Sequence, residues 1–277
     1  MQHKFSFLES KMATSKKVKK YLVVLVAIVA VLNGCATVPV SQTSEQPIGI
    51  ISAMSSELQL LLDTATITRT DTIAGEKYYV GTLASKPIVL VKAGVGKILA
   101  ASGATTLINE YGVDSIIFTG IAGGVADVTD VLDMVISTDL VVHDYGTITN
   151  DGFVWRANSG TVEGFIPADP ALIDAAYAAS VAVVGSEHTF KGNIATGDQF
   201  VSSEWYVKEL QTRFNSYATE MEGASVALVA HRYGVPFVVI RSMSDKADGQ
   251  AHETMADFGQ RAADNSASIV VELLRAL

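Results

Sequence analysis

Apolar residues in this chain fall into short unbroken runs that alternate with longer stretches of helical spacing. Runs of four to eight read as buried strands, and i, i+3, i+4 spacing reads as helix. Ile48-Gly49-Ile50-Ile51 is the first run, and Ser52–Glu57 leads from it into a helix with Leu58, Leu60, Leu61 and Leu62. Ser56 and Gln59 have capping-box spacing, which puts Glu57 in the first helical turn. Thr66–Thr72, Lys77–Leu83 and Pro87–Ala93 read as three strands, turning at Gly75 and at Ala84-Ser85. Ala93-Gly94-Val95-Gly96-Lys97 then opens a helix with Ile98, Ala101, Ala104, Leu107 and Ile108 on one face. Backbone N–H groups approach a ligand readily at such a turn. It is neither a dinucleotide fingerprint nor a full P-loop, and Lys97 reads as a solvated helix residue.

Ser115–Gly120 is a further buried strand, closed by Ile121-Ala122-Gly123-Gly124, and Met134–Val142 is another, closed by His143-Asp144. Neighbours on an extended chain point to opposite faces, so His143 reads as a loop histidine and not as half of a catalytic pair. A helix over Pro167–Ser180, a strand over Thr189–Gly197 and a short helix over Ser203–Thr212 follow, with Asp198-Gln199-Phe200-Val201 between the last two. Tyr217–Glu220 then meets the apolar helix run Ala224–Ala230. Glu220 and Glu222 lie two apart, so an extended chain aims both the same way. Ionised carboxylates aimed at one spot are acceptors for ligand hydroxyls; the plainer reading is acids at a helix start. Val235–Arg241 is the last buried strand, ending in Ser242-Met243-Ser244-Asp245, and His252–Leu277 is an amphipathic helix.

Strands therefore alternate with helices throughout, which predicts an α/β protein with a parallel or mixed sheet and a ligand crevice at the carboxyl ends of its strands. Glu57, the 94–96 turn, the 121–124 turn, Phe200, Glu222 and Asp245 all fall at such ends.

Composition narrows the picture. At 277 residues and 49 % apolar, the chain has material for a full core. Its net charge of −9 argues against binding nucleic-acid backbone. The charge is uneven: residues 1–34 hold six Lys and one Glu, so 35–277 carry 14 basic and 28 acidic residues. Lys16-Lys17-Val18-Lys19-Lys20 precedes Tyr21–Leu32, an apolar run of 12 residues. That is the layout of an export signal, and it is short of the roughly 20 residues that span a bilayer. The run closes in Leu32-Asn33-Gly34-Cys35, which resembles the bacterial lipoprotein box and marks Cys35 for lipidation. Cys35 is the sole cysteine, so no disulfide within the chain and no cysteine metal site is expected. The expected organisation is a signal peptide over 1–34, a Ser/Thr/Pro-rich tether over 35–46 and one domain over 47–277. The protein is then exported and faces the periplasm or the cell exterior, touching membrane only through its lipid. The alternative is an uncleaved anchor with an incidental cysteine.

Taken together, Ile48–Met54 with Glu57, Ala93–Lys97, Phe118–Gly124, Ala195–Phe200, Thr219–Ala224 and Arg241–Asp245 resemble the 5′-methylthioadenosine/S-adenosylhomocysteine nucleosidases of the purine nucleoside phosphorylase superfamily. The resemblance spans 47–277. It implies a three-layer α/β/α sandwich with a central mixed sheet, a homodimer, a purine nucleoside substrate, no cofactor and no metal. It implies hydrolysis of the N-glycosidic bond, with Glu57 activating water and Asp245 protonating the purine at N7. Glu222 and the Met221 backbone would hold the ribose hydroxyls. Phe200 would stack on the base, the Val201 backbone would pair with its edge, and Ser244 and Arg241 would position Asp245 and Glu222. Met54, Val95, Ala122 and Gly123 complete the implied binding wall, with Glu220, Met255 and Phe258.

Two positions depart from the pattern: Ile121 stands where serine is common, and Met255 where an aromatic is frequent. Phosphorolysis needs a cationic donor cluster for phosphate. Ser52–Glu57 has no Arg or Lys, and Phe118 stands where the hexameric phosphorylases carry Arg. Related hydrolases act on futalosine or on AMP, and AMP calls for a basic phosphate pocket. A nucleoside-binding lipoprotein without catalysis is the remaining alternative.

Overall fold

A computed structural model describes residues 45–158 and 160–277. The predicted signal peptide, Cys35 and nearly all of the tether lie outside the described residues. Gln46–Leu277 form one compact unit.

Twelve strands and six α-helices run in the order β1 (Ile48–Ser52), α1 (Ser55–Thr64), β2 (Thr66–Ile73), β3 (Glu76–Leu83), β4 (Lys86–Lys92), α2 (Lys97–Tyr111), β5 (Ser115–Gly124), β6 (Met134–Val142), β7 (Gly146–Thr149), β8 (Gly152–Trp155), β9 (Phe165–Pro167), α3 (Pro170–Val184), β10 (Thr189–Thr196), α4 (Glu204–Phe214), β11 (Ser216–Glu220), α5 (Gly223–Tyr233), β12 (Phe237–Asp245) and α6 (Ala251–Ala276) among the described residues. The main sheet has the order β11-β10-β6-β12-β5-β1-β4-β3-β2, with β9 beside β6. Its centre is largely parallel, β4–β1–β5–β12, while β6 runs antiparallel to β12. β11 also reaches back to β5, pairing Thr219 with Gly123. This is the expected mixed sheet.

The central strands are buried on both faces, which is why they read as continuous apolar runs. Two apolar clusters flank the sheet. One packs Ala100, Ala104 and Leu107 of α2 and Val226, Ala227 and Ala230 of α5 against it. The other packs Leu58 and Leu61 of α1, Leu172 and Ala176 of α3 and Ile269, Val270 and Leu273 of α6 on the opposite side. Helix, sheet and helix give the three layers.

Several boundaries differ from the sequence reading. β5 runs on through the glycine cluster to Gly124, and β12 runs on to Asp245. Both extensions are polar or glycine-rich, so apolar runs could not signal them. The β7–β8 hairpin and β9 were not foreseen, because β7 and β8 are largely exposed and lack a buried face. The 167–180 helix starts only at Pro170, where Asp169 caps it by accepting the Leu172 N–H at 3.0 Å. The Ser56–Gln59 capping box does not form. α1 begins two residues earlier, Met54 is the N-cap, and Glu57 reaches back to the Met54 N–H. No helix among the described residues is long and apolar enough to cross a membrane.

Candidate active site

The carboxyl ends of β1, β5, β11 and β12 surround a cavity of about 240 Å³. Its wall includes Glu57, Glu222 and Asp245 together with Met54, Ala122, Gly123, Met221 and Met255. A recess of about 30 Å³ beside it is lined by Gln199, Phe200, Val201 and Thr219.

Glu57 stands on the first turn of α1, directly after β1. Its Oε2 accepts the Ala53 and Met54 N–H groups, each at 2.8 Å, and its Oε1 accepts the Ile121 N–H at 3.0 Å. A carboxylate has about four acceptor positions, so one is left for a ligand. Burial raises the Glu57 pKa, opposed by the nearby Arg241 charge and by the three N–H donors.

Asp245 ends β12. Oδ2 accepts the Ser244 hydroxyl at 2.7 Å and Oδ1 accepts the Ala247 N–H at 2.7 Å. Burial raises its pKa as well, against those two donors and the His252 charge. Gly123 lies beneath this carboxylate, since a Cβ there would stand 2.9 Å from Oδ1.

The two glutamates of the β11–α5 turn do different work. Glu222 turns into the cavity and accepts the Gly96 N–H at 2.8 Å through Oε1, while Oε2 lies 3.6 Å from Arg241 Nη2. Burial, and then the neighbouring Glu220, push its pKa up to about 7. Glu220 borders the same cavity, but Thr196 Oγ1, Arg241 Nη2 and the Glu222 and Gly223 N–H groups donate to it. With four donors already in place it holds the turn rather than a ligand hydroxyl. The expectation that both carboxylates serve the ligand is corrected here: β11 ends at Glu220 and the chain bends at Met221 and Glu222, so the two-residue rule stops at Glu220.

Arg241 is fully buried and lies behind the wall, its guanidinium carbon 4.1 Å from the Phe118 ring centroid. Phe118 thus supports Arg241. Phe200 is half-exposed and stacks on His252, with centroids 4.4 Å apart. Val95 borders the cavity from the 94–96 turn. Phe258 lies outside the cavity lining, one turn beyond Met255 on α6, with the Arg261 guanidinium 5.8 Å from its ring.

His143 and Asp144 do diverge. His143 is buried, donates to or accepts from the Tyr206 hydroxyl at 2.9 Å through Nδ1, and has its pKa lowered by burial. Asp144 instead takes the Lys97 ammonium at 2.5 Å, so Lys97 is an ion-paired residue and the solvated reading is corrected. Sequence reasoning also missed Thr196, Gly120 and the Gly96 N–H. The 94–96 turn had signalled available N–H groups, but Gly96 spends its own on Glu222. Among the described residues no acidic, His or Cys cluster could hold a metal ion.

The profile of the phosphorylase superfamily matches residues 47–275. A 5′-methylthioadenosine/S-adenosylhomocysteine nucleosidase of Shewanella oneidensis is 39 % identical over 231 residues, covering 83 % of this chain and 97 % of its own. The nucleosidase of Neisseria meningitidis, solved with methylthio-immucillin-A, superposes with a TM-score of 0.77 at 34 % identity, over 84 % of this chain and all of its own. A futalosine hydrolase of Helicobacter pylori superposes with a TM-score of 0.75 at 30 % identity, over 84 % of this chain and 99 % of its own. With matches of this extent, the chain belongs to the phosphorylase superfamily, and within it to the 5′-methylthioadenosine/S-adenosylhomocysteine nucleosidases.

Proposed function

We propose that this protein hydrolyses the N-glycosidic bond of 5′-methylthioadenosine and S-adenosylhomocysteine, giving adenine and the 5-thio-substituted ribose. One observation carries the choice of hydrolysis over phosphorolysis. The cavity wall contains four carboxylates, Glu57, Glu220, Glu222 and Asp245, and no Lys or Arg among the described residues. A phosphate dianion held there would meet only like charge. Arg241, the nearest cation, is sealed behind the wall and paired with Glu220.

The transition state carries positive charge on the sugar and negative charge on the leaving base, and the site must favour both. Glu57 takes a proton from water at its free acceptor position, and the hydroxide oxygen bonds to C1′. The C1′–N9 bond breaks, its electron pair goes to the base, and Asp245 gives its proton to N7. The atoms of one water are thereby divided between sugar and base, and the two acids exchange protons with solvent afterwards. The donor sets favour this division. Burial raises both pKa values; at Glu57 it is opposed by Arg241 and three N–H donors, and at Asp245 by two donors while the Asp248 charge adds to the rise, a balance that suits Glu57 as the base and Asp245 as the acid. Glu222 faces the ribose hydroxyls, and the anion it forms as pH rises through about 7 favours the oxocarbenium-like sugar. Phe200 and the Val201 backbone border the recess suited to the base.

The same reading includes a homodimer. Ile148, Phe153 and Trp205 are exposed apolar residues lining a groove beside Phe200, and clustered apolar exposure is the mark of an interface. It also includes export and lipid attachment at Cys35, supported by the basic patch, the 12-residue apolar run and the Leu32–Cys35 motif.

The deciding experiment incubates the full chain with methylthioadenosine, with and without phosphate. Adenine and free methylthioribose at a phosphate-independent rate are expected. A sugar phosphate formed only with phosphate would overturn hydrolysis, and saturable binding without adenine release would make the protein a nucleoside binder. For export, fatty-acid labelling should be lost in Cys35→Ser; equal labelling of both proteins would refute the anchor.

A further inference from the structure

Lys97, Asp144 and Asp198 form a closed ring of bonds outside the cavity wall. Lys97 Nζ lies 2.5 Å from Asp144 Oδ1 and 3.5 Å from Asp198 Oδ2. The Lys97 N–H donates to Asp198 Oδ1 at 2.9 Å, and the Asp198 N–H donates to Asp144 Oδ2 at 2.8 Å. Each residue is thus bonded to both of the others. They come from three separate places: the start of α2, the end of β6 and the loop after β10.

Two arms of this ring end beside substrate contacts. Gly96, directly before Lys97, gives its N–H to Glu222 Oε1. Asp198 stands two residues before Phe200. The far end of that loop is tied separately, through Ser202 Oγ to the Asp248 carbonyl and the Ser203 N–H to the Ala247 carbonyl, each at 2.7 Å. Phe200 is therefore held between two anchors, of which the ring is one. The Lys97 and Asp144 side chains are only 22 % and 11 % exposed, so this pair is shielded from the solvent screening that makes surface pairs weak. One ammonium serves two carboxylates, and its loss would leave Asp144 and Asp198 facing each other as like charges.

We propose that Lys97, acting through Asp144 and Asp198, is a positioning residue that holds the Phe200 loop and the Gly96–Glu222 bond in the arrangement that binds the nucleoside. The inference rests on the hydrolase reading above. The ring touches neither Glu57 nor Asp245, so the groups that move protons keep their places when it is broken. Its loss falls mainly on the binding of the nucleoside, through the Phe200 loop, and only indirectly on the transition state, through Glu222, so it raises KM more than it lowers kcat.

The test uses the full chain and three variants. Lys97→Met should raise the KM for methylthioadenosine about tenfold while kcat falls less than about threefold. The dissociation constant of adenine, read by calorimetry, should weaken in parallel, and Lys97→Arg should restore most of both. Asp198→Ala removes the acceptor of the Lys97 N–H from a half-exposed site and should show the same split, which keeps the proposal testable if Lys97→Met does not fold. KM and adenine affinity within about twofold of the parent in the folded variants would overturn it, as would a KM rise that Lys97→Arg leaves in place. Adenine release by the parent chain tests the reaction separately; without it, the reading of the reaction has failed and adenine affinity alone decides the role of the ring.

Discussion

Glu57 and Arg241 meet over Gly120: a Cβ at that position would overlap Arg241 Nη1 and stand 2.6 Å from Glu57 Oε1. The absent side chain is what lets a buried cation and a buried carboxylate share the space behind the cavity. Neither can retreat, because Arg241 is fully buried and Glu57 is fixed by three N–H donors. Gly120→Ala should therefore lower kcat/KM by about 100-fold through displacement of Glu57 and cost about 1–3 kcal/mol of stability through overpacking. Steady-state kinetics with a urea titration check both, and parental turnover in Gly120→Ala would show that Glu57 has room to move.

Asp245 is the only carboxylate of the cavity placed at the end of β12, beside the recess assigned to the base. Replacing it with asparagine keeps the shape and the Ala247 N–H contact but removes the transferable proton. Asp245→Asn should lose about 10²–10⁴-fold in kcat, with adenine affinity changed far less. Calorimetry and single-turnover assays separate the two quantities. Turnover close to that of the parent would end the assignment of Asp245 as the acid.

The raised Glu222 pKa makes stability depend on pH in a definite direction. Its carboxyl holds its proton to about pH 7 in the folded chain, against 4.5 as the ordinary value. Between those limits the unfolded state has lost the proton and the folded state keeps it, so stability falls as pH rises through the window. At about 1.4 kcal/mol per pH unit, the loss from this one group reaches about 3 kcal/mol by pH 7. Glu222→Gln lacks the titration, so its stability relative to the parent should climb from pH 4.5 to 7 and level off above. Parallel curves for the two proteins would place the Glu222 pKa near its ordinary value.

Much of this was legible in the sequence because buried parallel strands write themselves as apolar runs. β1, β6 and β10 were found within a residue of their bounds, and the alternation of strand and helix gave the layered class. The site was legible for a related reason. Crevice residues stand where an apolar run stops or starts: Glu57 and Asp245 each follow one, and Glu222 stands just before the run Ala224–Ala230. What the sequence hid was acceptor and donor accounting. Nothing in the spacing of Glu220 and Glu222 says that one is filled by Thr196, Arg241 and two N–H groups while the other is open. Nothing in the Ser56–Gln59 spacing says that Glu57, one residue later, will cap the helix instead. The β7–β8 hairpin escaped for want of a buried face, and Lys97 was misread because Asp144 and Asp198 lie 47 and 101 residues away in sequence.

That division between the two glutamates gives the sharpest pair of substitutions. Glu220 is buried with Arg241, and the remaining Arg241 nitrogens Nε and Nη1 have no hydrogen-bond partner among the described residues. Removing the negative charge at Glu220 leaves a sealed guanidinium with only Glu222 and Glu57 nearby, and breaking a buried pair from one side costs about 3–5 kcal/mol. Glu220→Gln should therefore unfold at markedly lower urea, and the turn that aims Glu222 should loosen with it. Glu222→Gln keeps the Arg241–Glu220 pair, so it should fold at least as stably as the parent at pH 7 and lose activity, chiefly through weaker hold on the ribose. A stability loss confined to Glu222→Gln, with Glu220→Gln stable and impaired only in KM, would reverse the two roles and restore Glu220 as the ribose ligand.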